Sequence, residues 1–485
     1  MMNIDEMHYA DYESLPMDDY YPADSGFNAG IRSCDIPTSS GMNVMLLCAW
    51  AVICMIGFAV IFWAKMPIVG VAIIAIPTFM GMVLKPTFAL SLALLALPTG
   101  AGISFEGVFT LDKGIGIALA LSFLLNIMVT RPRFRINDKA MWFIMAYSIW
   151  IIIISPLLAA DIILELTKAF SQFQLLIYTF IVYWILQSNG KYCLRWVLRC
   201  YVIGTLGMTG IAIKTGAQMR AVSEIDRYAA TVGAAVDANF LAVIISLAFL
   251  SAIYLFAKDK NLFFRLIYFT AFLVLPVMVF KTGSRGALIA IVFTLLSPLL
   301  FVRQVLRKPS LAVFLLLCIL IATFAVDLVI SRGAVEERTV GRVTDVHYAR
   351  ESVSYRMSLI RTAIRTVVRN PMGTSSSGWF QRSGAWSWPH NDFFYVLGLY
   401  GIPGALFFAL FLLSLVLTVK RMPMGIEKLF GRAILTFLLI TGLSIGQTYT
   451  KHFWVFLIIV IALAQIAHQN ESEEQSHQFG RTDRL

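Results

Sequence analysis

Apolar runs of the length that crosses a bilayer, roughly 17 to 25 residues, recur from Met42 to Ala467 with short polar breaks between them. They predict helices at 42–64, 67–84, 86–103, 112–129, 141–160, 170–187, 195–213, 237–256, 266–281, 287–302, 311–330, 391–419, 433–447 and 453–468. Pro67, Pro77, Pro86 and Pro98 crowd the second and third of these, so one of the two can be a broken or re-entrant segment. The pattern specifies an all-α fold, a polytopic membrane helical bundle of about 12 to 14 transmembrane helices. One polar interruption is much longer than the others, residues 331–390.

Composition agrees with this reading. Of 485 residues, 59% are hydrophobic and 14% charged, whereas soluble domains carry about a quarter charged residues. The surface must therefore be solvated by lipid. Residues 42–468 form the membrane domain, flanked by tails at 1–41 and 469–485. The first tail sets Asp5, Glu6, Asp11, Glu13, Asp18, Asp19, Asp24 and Asp35 against the single base Arg32. A signal peptide would begin with basic residues and a short apolar core, so this segment reads as a disordered cytoplasmic tail or a docking segment for a partner. The second tail, with Glu471, Glu473 and Glu474, reads the same way.

The net charge of +11 raises the question of a nucleic-acid partner. Its basic residues are scattered through short loops instead of forming a patch, so topology explains them and no nucleic acid is expected. Clusters at Arg131–Lys139, Lys191–Arg195, Lys258–Arg265, Arg303–Lys308 and Lys420–Arg432 all fall on one side of the alternation. That side is cytoplasmic by the positive-inside rule, and both termini join it. Of six cysteines, four lie in apolar runs, Cys34 is in the tail and Cys193 in a basic loop, so no disulfide framework is expected.

The opposite side holds 214–236, 282–286, 331–390 and 448–452. The long loop carries Arg332, Arg338, Arg342, Arg350, Arg356, Arg361, Arg365, Arg369 and Arg382 and no lysine. Met357, Ile360, Ile364 and Val367 recur there at helical spacing beside a row of Arg361, Arg365 and Arg369, until Asn370 and Pro371 end the helix. This predicts an amphipathic helix at the membrane surface. Its arginines meet lipid phosphates on the plainer reading. A phosphorylated substrate is the alternative, because the planar guanidinium fork holds oxyanions bidentately.

Of the six histidines, His8, His468 and His477 fall on the cytoplasmic side, leaving His347, His390 and His452. His390 opens a membrane helix in the string PHNDFFYVLGLYGIPG, where a group can meet a lipid head group and an aqueous acceptor together. TGSRG, Thr282–Gly286, presents Arg285 on a tight turn between two apolar helices. DRYAATVGAAVDAN places Arg227 in a polar segment just ahead of a helix beginning near Ala238. Each has a structural alternative: a helix-start histidine, a snorkelling arginine and an ordinary loop arginine.

Taken in order, these motifs resemble the O-antigen ligase and Wzy-type polysaccharide polymerase superfamily. The residues carrying the resemblance are Arg227 with Asp237 and Asn239, Ser284–Gly286, Arg356 with Asn370–Gly373, and His390 with Asn391 and Gly401–Gly404. It covers about 227–404 and the multi-helix layout. The sequence departs from the family around the first motif, where Ala230 and Ala238 replace the usual glycine and proline.

The resemblance implies a glycosyltransferase of the bacterial inner (cytoplasmic) membrane, acting on its periplasmic or external face. The donor would be a glycan on undecaprenyl diphosphate and the acceptor a glycan hydroxyl. Such chemistry needs a group to neutralise the diphosphate and a group to take the acceptor proton. Arg285, Arg227 and Arg356 suit the first need and His390 the second, with Ser284, Asn239 and Asn391 in support. No D-x-D stands on that side, where Glu336, Glu337, Asp345 and Glu351 are dispersed, so arginines are expected to replace a metal, and no cofactor is expected. Expected partners are the lipid-linked donor, the acceptor glycan, membrane lipids and other proteins of a polysaccharide assembly. Exopolysaccharide or O-antigen repeat-unit polymerisation is the preferred reading, with ligation to lipid A core as the alternative. A transporter or flippase is the rival of another class, but it would carry ionisable or discontinuous-helix features near the midplane.

Overall fold

The computed structural model describes residues 67–102, 109–130, 138–215, 237–296 and 346–482 apart from Trp386, with short stretches at 55–56, 104–105, 136, 218–220, 226–228, 231–232 and 234–235. The first predicted helix, the one at 311–330 and the acidic tail 1–41 lie essentially outside the described residues. Helices in chain order are α1 (Pro67–Leu84), α2 (Pro86–Ala96), α3 (Leu111–Thr130), α4 (Lys139–Leu157), α5 (Ile162–Thr215), α6 (Ala238–Lys258) and α7 (Leu262–Lys281). They continue with α8 (Arg285–Leu296), α9 (Val346–Arg369), α10 (Ser375–Ser383), α11 (Asp392–Arg421), α12 (Ile426–Gly442) and α13 (Lys451–Thr482). Extended pairing among the described residues consists of three two-stranded antiparallel ladders, each strand two or three residues long. The protein is thus an all-α, multi-pass membrane bundle. Among the described residues, α4, α5, α6, α7, α11 and α13 contain segments long and apolar enough to cross a membrane, six in all.

The last helix is the pillar of the bundle. Phe453, Trp454 and every residue from Val455 to Leu463 are buried, and α13 packs on α5, α11 and α12. A helix apolar on all faces can only sit inside the protein or span lipid, and this one does both. It does not stop near residue 468 but runs on to Thr482. Around it, α5 packs on α2, α4 and α6, and α8 fits between α6 and α12. Helix starts are set by local caps: Asp138 accepts from Ala140 N, Asp237 from Asn239 N and Asn261 from Phe263 N, at 2.9, 2.7 and 2.9 Å. Each satisfies an amide that the helix itself cannot.

Two glycines divide what hydropathy reads as simple runs. Gly190, at φ 58° and ψ −145°, kinks α5 between two predicted spans. Gly401, at φ 70° and ψ −169°, breaks α11 inside the span expected at 391–419. Backbone of this kind is essentially restricted to glycine. The break at Gly401 is filled by the turn that follows α9. Ile402 N donates to Pro371 O at 2.8 Å, and Thr374 N donates to Leu399 O at 3.0 Å. A Cβ on Gly373 would lie 2.4 Å from Leu399 O, so both glycines are needed for the two backbones to meet. The Asn370–Gly373 and Gly401–Gly404 motifs are the two halves of one joint.

Helix α9 ends at Arg369, at the predicted Asn370–Pro371 boundary. It has two apolar faces where the sequence suggests one. Leu359, Ala363 and Val367 are buried, and α9 packs on α11. Val353, Met357, Ile364 and Val368 form a second stripe that remains exposed, next to exposed Arg361, Arg365 and Arg369. Of the stripe expected at the membrane surface, Met357 and Ile364 are exposed, whereas Val367 is buried.

Candidate functional site

His390 stands at the mouth of α11, and its neighbours fix the helix start. Asn391 is the N-cap, its Oδ1 accepting from Phe393 N and Phe394 N at 3.0 and 3.2 Å. Its Nδ2 donates to Leu443 O at 3.0 Å. Asp392 is buried, and its Oδ1 accepts from Gln447 N at 2.5 Å and Thr448 N at 3.0 Å. Asparagine and aspartate thus staple α11 to the turn 443–450, while the imidazole remains exposed.

The Ser284–Gly286 motif reaches the same turn from the other direction. Thr282 closes α7, Gly283 takes φ +63°, and Ser284 N donates to Thr282 Oγ1 at 3.2 Å. Arg285 then opens α8 with a half-buried side chain. Ser284 is buried, and its Oγ finds no hydrogen-bond partner among the described residues. Gly286 lies against Ser444, so close that a Cβ would come 2.3 Å from Ser444 Oγ. A Cβ on Gly446 would lie 3.9 Å from Pro389 O, just before His390. The turn 443–450 is thus packed against both motifs. It also presents the exposed Tyr449, whose ring meets Phe240 edge-on and Tyr395 at a tilt.

Two further elements bring charge to His390. Its pKa is lowered first by the loss of hydration as surrounding chain crowds the ring, then by the Arg356 guanidinium, with Asp237 opposing. Arg356 comes from α9, where it is half-buried. Asp237 is the exposed N-cap of α6, and Asn239 sits half-buried in the first turn of that helix. His390, Arg356, Asp237 and Asn239 therefore belong to one end of the bundle. Arg227 lies in the ladder Asp226–Tyr228 with Gln218–Arg220, opposite Met219, and its guanidinium is outside the described atoms.

Sequence reasoning missed Asp392, Ser444 and Tyr449. A signal was present in the glycine- and hydroxyl-rich string SIGQTYT between two apolar helices. At the opposite end of the 21-residue helix α6, about 30 Å away at the usual helical rise, Asp259 receives a bidentate pair from Arg199 at 2.7 and 3.0 Å. Lys258 pairs there with Glu427 at 2.5 Å. Those ions tie α5, α6 and α12 together and have no counterpart of the His390 arrangement.

Residues 269–409 match the O-antigen ligase family model. The matched segment runs from α7 to the middle of α11 and includes Arg285, Arg356 and His390, whereas Arg227 and Asn239 precede it. The match supports the O-antigen ligase and Wzy-type superfamily to which the motifs point, and with it a multi-pass membrane enzyme of the ligase or polymerase type. No curated protein matches the chain.

Proposed function

Taking the O-antigen ligase match as premise, we propose that this protein transfers a glycan from undecaprenyl diphosphate to a sugar hydroxyl on the external face of the bacterial cytoplasmic membrane, as a repeat-unit polymerase. The observation that carries the reading is the exposed His390, held at a helix mouth beside Arg356 with its pKa depressed. A depressed pKa keeps the imidazole neutral, and only the neutral form accepts a proton. The acceptor hydroxyl gives its proton to His390 as its oxygen bonds to the anomeric carbon. The bond from that carbon to the diphosphate breaks, and undecaprenyl diphosphate departs with the electron pair. Arg285, Arg227 and Arg356 neutralise the growing negative charge, a task suited to arginine forks, while Asn391 holds the surrounding backbone and Ser284 and Asn239 stand in support. Both termini are assigned to the cytoplasm by the basic short loops.

Ligation to lipid A core shares this donor chemistry. The long arginine-rich loop and the acidic tail favour polymerisation within a multi-protein assembly. The test is transfer by purified protein reconstituted with lipid-linked glycan extracted from the source cells. His390→Ala should lower the rate about 100- to 10,000-fold, the usual contribution of a general base, while binding of undecaprenyl diphosphate persists. Removing Arg285 and Arg227 should weaken that binding. A folded His390→Ala protein with near-normal transfer would remove the base assignment and turn attention to His347 and His452. Movement of the lipid across the bilayer without any glycan transfer would support the flippase reading instead.

A further inference from the structure

Glu165 carries a buried carboxylate that the transfer chemistry does not use. It lies one turn inside α5, only 1% exposed. Oε1 accepts from Ser376 N at 3.2 Å, and Oε2 accepts from Ser376 N and Ser377 N at 3.1 Å each. Ser155 Oγ from α4 also donates to it. These amides open α10, whose own N-cap, Thr374, makes no side-chain cap hydrogen bond. The first amides of a helix have no partners within it, and a negative charge there also complements the helix dipole. Glu165 therefore supplies from another helix the cap that α10 lacks.

The rest of α10 is tied to the same junction. Ser377 Oγ accepts from Ala160 N and Asp161 N at 3.2 Å, and Arg382 Nη2 donates to Leu158 O at 3.3 Å. From α10 the fully buried Trp379 donates Nε1 to Ser387 O at 3.1 Å, three residues before His390. Gly398 leaves room for that indole, since a Cβ there would stand 2.6 Å from Trp379 Cζ3. Lys168, one turn beyond Glu165, places Nζ 5.0 Å from the centre of the Trp388 ring. Adjacent turns of α5 thus hold both ends of the segment leading to His390.

We propose that Glu165 is a positioning residue for glycan transfer: by capping α10 it fixes where Trp379 holds the Ser387 carbonyl, and so where the His390 imidazole stands. This rests on His390 acting as the base. The test compares Glu165→Ala, Glu165→Gln, Trp379→Phe and His390→Ala in full-length protein in lipid nanodiscs. Readouts are amide exchange by mass spectrometry, binding of undecaprenyl diphosphate, and transfer at saturating donor. Glu165→Ala should speed exchange across 375–390 about tenfold or more, as lost hydrogen bonds of this kind do, while exchange in α6 is unchanged. Its transfer rate should fall up to about 100-fold, the effect of misplacing a reacting group by an ångström, with undecaprenyl diphosphate affinity within about twofold because the loss lies in orientation rather than binding. Glu165→Gln keeps an accepting oxygen and should fall between. Trp379→Phe keeps the ring but loses the bond to Ser387, so it should loosen 385–390, leave 376–377 protected and still slow transfer. Normal exchange or normal transfer in Glu165→Ala overturns the proposal. If that variant fails to insert, wild-type transfer by Trp379→Phe overturns it. Near-normal transfer by His390→Ala would instead remove the base assignment, and the exchange data would still decide whether Glu165 caps α10.

Discussion

Replacing Gly401 by alanine should expel the Asn370–Gly373 turn from the break in α11. Gly401 sits at φ 70° and ψ −169°, where any residue with a side chain costs about 1 to 3 kcal/mol. The added Cβ would also lie 2.3 Å from Met372 C, 2.4 Å from Pro371 O and 2.5 Å from Gly373 N, all backbone atoms. They can recede only by giving up the bonds from Ile402 N to Pro371 O and from Thr374 N to Leu399 O. Each such bond contributes about 0.5 to 1.5 kcal/mol net. Strain and lost bonds together amount to about 2 to 6 kcal/mol, enough to shift the joint toward its open form by more than about tenfold. Gly190 is the internal control: it has φ 58°, but a Cβ there meets nothing within 4 Å. Gly190→Ala should therefore carry only the strain. Amide exchange across 369–402 and transfer by reconstituted protein would be measured for both variants. If Gly401→Ala matched Gly190→Ala in both assays, the steric account of the joint would be wrong.

The arginine at the α7–α8 turn should resist conservative replacement: Arg285→Lys is expected to lose nearly as much transfer as Arg285→Ala, because lysine keeps the charge without the bidentate fork. A nearly normal lysine variant, with membrane insertion verified, would point to simple lipid anchoring. The acidic limb of the pH–rate profile should follow the protonation of His390. Arg356→Gln removes an influence that lowers its pKa, so the limb should move to higher pH, and Asp237→Asn removes one that raises it, so the limb should move lower. Asparagine still caps a helix, which keeps the second variant folded; shifts in the opposite senses would contradict the arrangement. A reporter fused after Arg307 should appear cytoplasmic and one inserted near Gly378 external, and the same side for both would dissolve the proposed sidedness.

Much of the bundle was legible because helices that face lipid or each other must be continuously apolar. The spans read at 67–84, 112–129, 141–160, 237–256 and 266–281 correspond to α1, α3, α4, α6 and α7. Hydropathy averages over a window, and so it passes over events set by one residue. Gly401 lies in an unbroken apolar run, and only the turn seated in the break makes the interruption stable. The second apolar face of α9 escaped for a related reason: Leu359 and Ala363 read as interruptions of a stripe built on Met357, Ile360 and Ile364, and their burial depends on contact with α11. Within the site, His390, Arg285 and Asn391 carried motif signals. Glu165 carried none, since its partners are 211 and 212 positions away.

The turn 443–450 shows how the separate motifs become one site. Buried backbone groups between two helices must find partners in the protein. Leu443 O is met by Asn391, the amides of Gln447 and Thr448 by Asp392, and Thr448 O by Trp454 Nε1 at 2.7 Å. The close contact of Gly286 with Ser444 then lays the start of α8 on the same turn. In the string His-Asn-Asp, the second and third residues thus supply the backbone partners of the turn. The first makes no such bond to the turn and is exposed, the placement that the proposed base at His390 needs.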